Sequence, residues 1–278
     1  MDEETLLALG RLFGPMTDLA QLSDAPLYAV AAIFVRLGAI VSLLPGVGER
    51  SVPARIKLAA VIAFTLALWP AILPLAQAAA GGDPGLGAGA PVPFVHAILA
   101  EAAVGLMLGI AVRLLVHALQ LAGTIAAQAT SVSQIGGAQV TPDPMPAIGA
   151  ILMVAGVALA LNLGLHIKAA QLIIRSYDIA PLGRFPLASD AVEWGVSRIA
   201  DAFTLAVSLS APFVVASFAY NLALGALNRA MPQLMVAFVG APAITAGALL
   251  LLWIASPEIL LHWNDQLDLT LADPFRTW

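Results

Sequence analysis

The chain contains no cysteine. Disulfides, thiolate chemistry and cysteine-ligated zinc or iron–sulfur centres are thereby excluded. Charge is nearly as scarce: 10% of the 278 residues are Asp, Glu, Lys or Arg, against about 25% in soluble domains. No Lys/Arg-rich tract offers a surface to nucleic acid. A secretory signal needs a basic leading region, whereas MDEETLLALGRLFG is acidic, so no cleavage is expected. Catalytic signatures are missing as well. There is no H-E-x-x-H, no G-x-S-x-G, no P-loop, and no G-x-G-x-x-G with a suitable acidic residue after it. His96, His117, His166 and His262 fall on separate segments. No catalytic residue, metal site or cofactor is expected.

Apolar sequence is abundant: 60% of residues are hydrophobic and the mean hydropathy is +0.93. Residues 58–82, 145–165, 202–228 and 230–257 carry no charge, and each passes the length of about 18 residues needed to cross a bilayer. Two further stretches are interrupted, 25–48 by Arg36 and 92–122 by Glu101, Arg113 and His117. The expectation is an all-α integral membrane protein of about six apolar helical segments, forming a single membrane domain over 1–278 or inserting into a membrane-embedded assembly.

Proline and glycine punctuate these segments. Pro45-Gly46 stops the helix expected over 25–44, and Pro53 suits the first turn of the next. Pro70 and Pro74 kink or end that helix. GGDPGLGAGAPVP, residues 81–93, reads as a loop. Residues 147–174 read as one helix, followed by the break SYDIAPLGRFPL at 176–187. A helix from Ala188 leads into 202–228, then comes LNRAMPQLMVAFVGAP at 227–242, and residues 264–278 form a polar C-terminal tail. SVSQIGGAQVTPDPMP, residues 131–146, is too polar and proline-rich for a regular spanning helix. Composition leaves it either an extramembrane loop or irregular backbone along a water-filled path.

Ionisable residues in apolar segments are functional candidates because burying them is costly. Glu101, Arg113, His117, His166 and Lys168 qualify. Glu101 and Arg113 stand twelve residues apart, about 18 Å along one helix, and cannot pair there. They either line an ion path or pair with a partner subunit or snorkel. With no acidic ladder to accompany them, the second reading is the expectation. Arg50, Arg55 and Lys57 form the densest basic cluster, which the positive-inside rule puts in the cytoplasm. Gly105 and Gly109 form a G-x-x-x-G that permits close helix approach.

Four stretches together resemble the family of the flagellar biosynthetic protein FliR, which includes the T subunit of injectisome export gates. They are RLGAIVSLLPGVGERSVPARIKLAA (36–60), the polar segment ending Pro144-Met145-Pro146 with its following helix carrying Gly164 and His166, the block SYDIAPLG (176–183), and ALGALNRAMPQLMVAFVGAPAITAG with its Gly-x-x-x-Arg-x-x-Pro-Gln-x-x-Val pattern. Their order covers about residues 25–255. The resemblance implies a non-enzymatic subunit of the type III export gate, built of bent helical hairpins packed into a larger helical assembly. Its partners would be the P and Q subunits, the large A and B membrane subunits, membrane lipid and the unfolded flagellar proteins being exported. It would sit as a multi-pass protein in the bacterial inner membrane, at the flagellar basal body.

By the same resemblance the polar segment supplies a plug for the pore, with Ser131, Ser133, Gln134, Gly136, Gly137, Gln139, Thr141, Asp143 and Met145 as candidate plug residues. Arg50, Arg55, His166, Asn228, Arg229, Pro232 and Gln233 are candidate subunit-contact or structural residues. A small secondary transporter or ion channel with broken helices and the injectisome homologue remain the alternatives.

Overall fold

A computed structural model of the chain describes residues 30–49, 51–80, 91–130, 146–231 and 236–275. Every regular element among them is helical: α1 Val30–Leu43, α2 Ala54–Ala80, α3 Pro91–Ala129, α4 Ala147–Asn162, α5 Leu165–Ile179, α6 Ala188–Ala230 and α7 Val236–Ala272. Four are long and apolar enough to cross a membrane, or five spans if the bent pair α4–α5 counts as one. The remaining apolar segment of the expected six is the shorter α1.

Contacts group the described chain into two compact units, the first running to Ile110 and including 170–190, the second holding 111–169 and the residues from Ala191 onward. In the first unit, α2 starts directly after Pro53, whose carbonyl accepts from the Ile56 and Lys57 amides at 3.0 and 3.3 Å. Lys57 Nζ donates to the Gly48 carbonyl at 3.1 Å and closes the α1–α2 turn. Helix α2 passes through Pro70 and Pro74 to Ala80, so neither proline ends it.

In the second unit, Trp263 on α7 is fully buried and donates its indole N–H to the Leu115 carbonyl of α3 at 2.7 Å. Trp194 on α6 donates to the Pro274 carbonyl at 2.8 Å. Small residues bring backbones together: a Cβ on Gly123 would strike the Gly149 backbone of α4. Helix α6 runs unbroken through Pro212 and α7 through Pro242 and Pro257. Residues 264–272 of the expected polar tail belong to α7.

The helix expected over 147–174 is broken in the structure. The α4 ladder ends as the Leu163 and Gly164 amides bond back to Leu159 and Leu161, and Gly164 takes φ +82°. That conformation costs glycine nothing and other residues a great deal. The two helices diverge by 74° there. Downstream, α5 continues to Ile179, which shortens the expected break at 176–187 to the residues beyond the helix.

Candidate functional site: a buried arginine–glutamate cluster

Arg36 on α1 and Glu101 on α3 each interrupt an apolar segment, and both are 0% exposed. The G-x-x-x-G of α3 is what lets them meet. Gly105 lies one turn beyond Glu101 and faces the Arg36 backbone, while Gly109 faces Leu43, so α1 rests directly on α3. The guanidinium then reaches the carboxylate in a two-pronged pair, Nε to Oε2 at 2.7 Å and Nη2 to Oε1 at 2.9 Å.

The third wall comes from α5 and the turn after it. Arg36 Nη1 donates to Ser176 Oγ at 3.0 Å, and Nη2 to the Ala180 carbonyl at 2.9 Å. The Ser176 hydroxyl in turn donates a hydrogen bond to the Ile173 carbonyl at 2.6 Å. Tyr177 lays its ring 3.8 Å from the guanidinium carbon and turns its hydroxyl towards Glu101 Oε2 at 3.4 Å. The Gly183 amide donates to Glu101 Oε1 at 2.9 Å. Gly183 holds φ +76°, a conformation the turn needs to aim that amide inward.

A buried charge pair is tolerable only when its remaining donors and acceptors are also matched. Four hydrogen bonds leave the guanidinium, and Glu101 accepts from three different residues. The cluster is therefore a polar staple joining α1, α3, α5 and the 180–183 turn. It is sealed from water and offers no open face to an ion or substrate. The expectation that Glu101 pairs outside the chain is corrected: its partner is Arg36, sixty-five positions earlier.

Lys168 is corrected in the same way. In the second unit its Nζ meets Asp268 of α7 at 2.6 and 2.8 Å. This pair is part-exposed, with side chains 30% and 39% accessible. His117 bonds Gln120 on its own helix at 2.7 Å.

The structure describes four of the candidate subunit-contact residues. Arg55 is exposed in the first turn of α2, His166 is exposed near the start of α5, and Asn228 and Arg229 are exposed in the last turn of α6. Arg50, Pro232, Gln233 and the plug segment from Ser131 to Met145 lie outside the described residues. Among the described residues no group of three or more His, Asp or Glu could hold a metal ion.

The residues that do assemble, Arg36, Glu101, Ser176, Tyr177 and Gly183, had a readable signal. One cation and one anion, each stranded in an apolar segment, need each other.

Comparison with known proteins places this geometry in context. Residues 27–270 match the family of bacterial export proteins, family 1. The chain is 33% identical over 243 residues to the flagellar biosynthetic protein FliR of Caulobacter vibrioides, spanning 86% of this chain and 92% of that protein. It is 29% identical over 214 residues to that of Escherichia coli, covering 75% and 76% of the two. With that of Bacillus subtilis it shares 26% over 253 residues, covering 87% and 92%.

Proposed function

Because the chain belongs to the family of bacterial export proteins, family 1, we propose that it is a subunit of the flagellar type III protein export gate. It is a multi-pass protein of the bacterial inner membrane at the flagellar base. The observation that carries this reading is the match across residues 27–270, joined to relatives that are named flagellar biosynthetic proteins. Four to five candidate membrane spans among the described residues are consistent with it.

On the finer reading the protein is structural and does no catalysis. It packs with the P and Q subunits, beside the large A and B subunits, around a path for unfolded flagellar proteins. Supporting this, the ionisable groups at Arg36, Glu101 and Lys168 are consumed in internal pairs, as a scaffold requires. The Ser131–Met145 segment closes the path as a plug, a role that its glycines and small polar side chains suit.

Two experiments test the proposal. Loss of the gene, restored by a plasmid copy, should abolish and then recover secretion of flagellar hook and filament proteins. Unaltered secretion in the deletion strain would refute the export role. Removing residues 131–145 should raise ion leakage through the inner membrane, and unchanged leakage together with unchanged export would sink the plug.

A further inference from the structure

Helix α7 contains no lysine or arginine, and its three carboxylates are Glu258, Asp265 and Asp268. Asp268 is answered from inside the second unit by Lys168. Glu258 and Asp265 are exposed, and no ion pair among the described residues involves either. The inner face of the helix is spent on packing: Ile259, Trp263 and Leu267 are buried, and the Trp263 indole is tied to the Leu115 carbonyl. The two carboxylates stand on the face turned away from that core.

That outer face mixes two kinds of side chain. Leu250, Ile254, Glu258, Leu261, Asp265 and Leu269 recur every three or four residues, so they form one row along the helix. All six are exposed, and Trp253 beside Ile254 is 76% exposed. Neither solvent suits such a row. Hydrocarbon accepts the apolar side chains but penalises two unmatched carboxylates. Water accepts the carboxylates, but contiguous exposed apolar surface marks a contact site. A second helix answers both demands, with an apolar face against the apolar side chains and a cation against each carboxylate. Glu258 and Asp265 stand seven residues apart, about 10.5 Å along the axis, so the matching cations lie about two turns apart.

We propose that the outward face of α7 is a docking surface for a helix of another subunit, one that bears two lysine or arginine side chains about two turns apart within an apolar face. This deepens the assembly reading above and rests on it, since a neighbouring subunit must exist. It adds the sign and the spacing of the charges that the neighbour presents.

The test uses the full chain in its native membrane, with Leu261 replaced by the photo-crosslinking amino acid p-benzoylphenylalanine. After irradiation the tagged chain is purified and whatever is attached to it is identified by mass spectrometry. The expected adduct is a peptide of a different protein, apolar on one face, with two Lys or Arg about seven residues apart. Glu258→Lys combined with Asp265→Lys should cut that adduct at least roughly tenfold, because like charges then oppose each other. Exchanging the partner's two basic residues for Glu in that background should restore it. Both carboxylates are exposed, so the double variant should keep the wild-type unfolding midpoint. If it fails to fold, Glu258→Gln with Asp265→Asn replaces it and should still weaken the adduct. Adducts with lipid alone, no adduct, a peptide from a second copy of this chain, a peptide without the basic pair, or an adduct indifferent to the charge changes would overturn the proposal. Secretion by the deletion strain is read separately, so a lipid adduct beside a lost export phenotype removes the docking surface and leaves the export role.

Discussion

Gly105 lies against the backbone of Arg36: a Cβ on the glycine would sit 2.6 Å from the Arg36 carbonyl oxygen and 2.8 Å from the Ala39 Cβ. Backbone cannot swing aside as a flexible side chain can. Gly105→Val therefore forces α1 off α3 and lengthens the Arg36–Glu101 contacts. The expected loss is about 1–3 kcal/mol from overpacking, and more if the pair separates. Unfolding of the purified chain in mixed detergent micelles measures it, and a wild-type midpoint would contradict the packing described.

The Arg36–Glu101 pair makes a sharper prediction. Arg36→Met or Glu101→Leu alone strands one buried charge and should cost about 3–5 kcal/mol. The double substitution removes both charges and should cost clearly less than the sum of the singles. Additive losses in the cycle would mean that the two side chains act independently.

Gly183→Ala tests the turn that closes the cluster. An alanine at φ +76° is strained by about 1–2 kcal/mol, and relaxing that strain turns the amide away from Glu101. The same unfolding measurement should show the loss, and Glu101→Gln should make it smaller because the acceptor is then weaker.

Lys168 and Asp268 form a part-exposed pair, for which about 0–1 kcal/mol is expected. Lys168→Met should therefore destabilise far less than Arg36→Met does. A loss as large as that of Arg36→Met would show that the α5–α7 contact matters more than its exposure suggests.

Arg229 is exposed at the last turn of α6, where it is available to a neighbouring subunit. Arg229→Ala combined with Gln233→Ala should reduce recovery of the P and Q subunits with the tagged chain, while the chain alone keeps its unfolding midpoint. Full recovery of both partners would remove these residues from the assembly interface.

Helical class and segment positions were legible because apolar runs longer than a bilayer crossing have few other folds open to them. The ends of α1 and α2 followed from Pro45-Gly46 and Pro53. The bend at Gly164 was not legible: one glycine among several in an apolar run carries no mark of a positive φ. Residues 176–179 read as a break because Ser and Asp look like turn formers, yet Ser176 is buried and its polarity is spent on Arg36. The cluster itself was half visible. Arg36 and the SYDIAPLG block stood in two of the stretches that carried the family resemblance, and Glu101 was flagged as costly to bury. Their meeting depends on tertiary packing through Gly105, which spacing along the chain does not encode.

The separation of the staple's parts along the chain sets an order for making the protein. Arg36 emerges from the ribosome 65 residues before its carboxylate and 140 before Ser176. At about 5–20 residues per second, the cation waits roughly 3–13 s for Glu101, and longer for the turn that seals it. During that interval α1 is a short helix bearing an unmatched charge, a poor candidate to remain in hydrocarbon on its own. Its stable insertion is therefore tied to the arrival of α3, so the membrane receives these helices as a group and not one at a time.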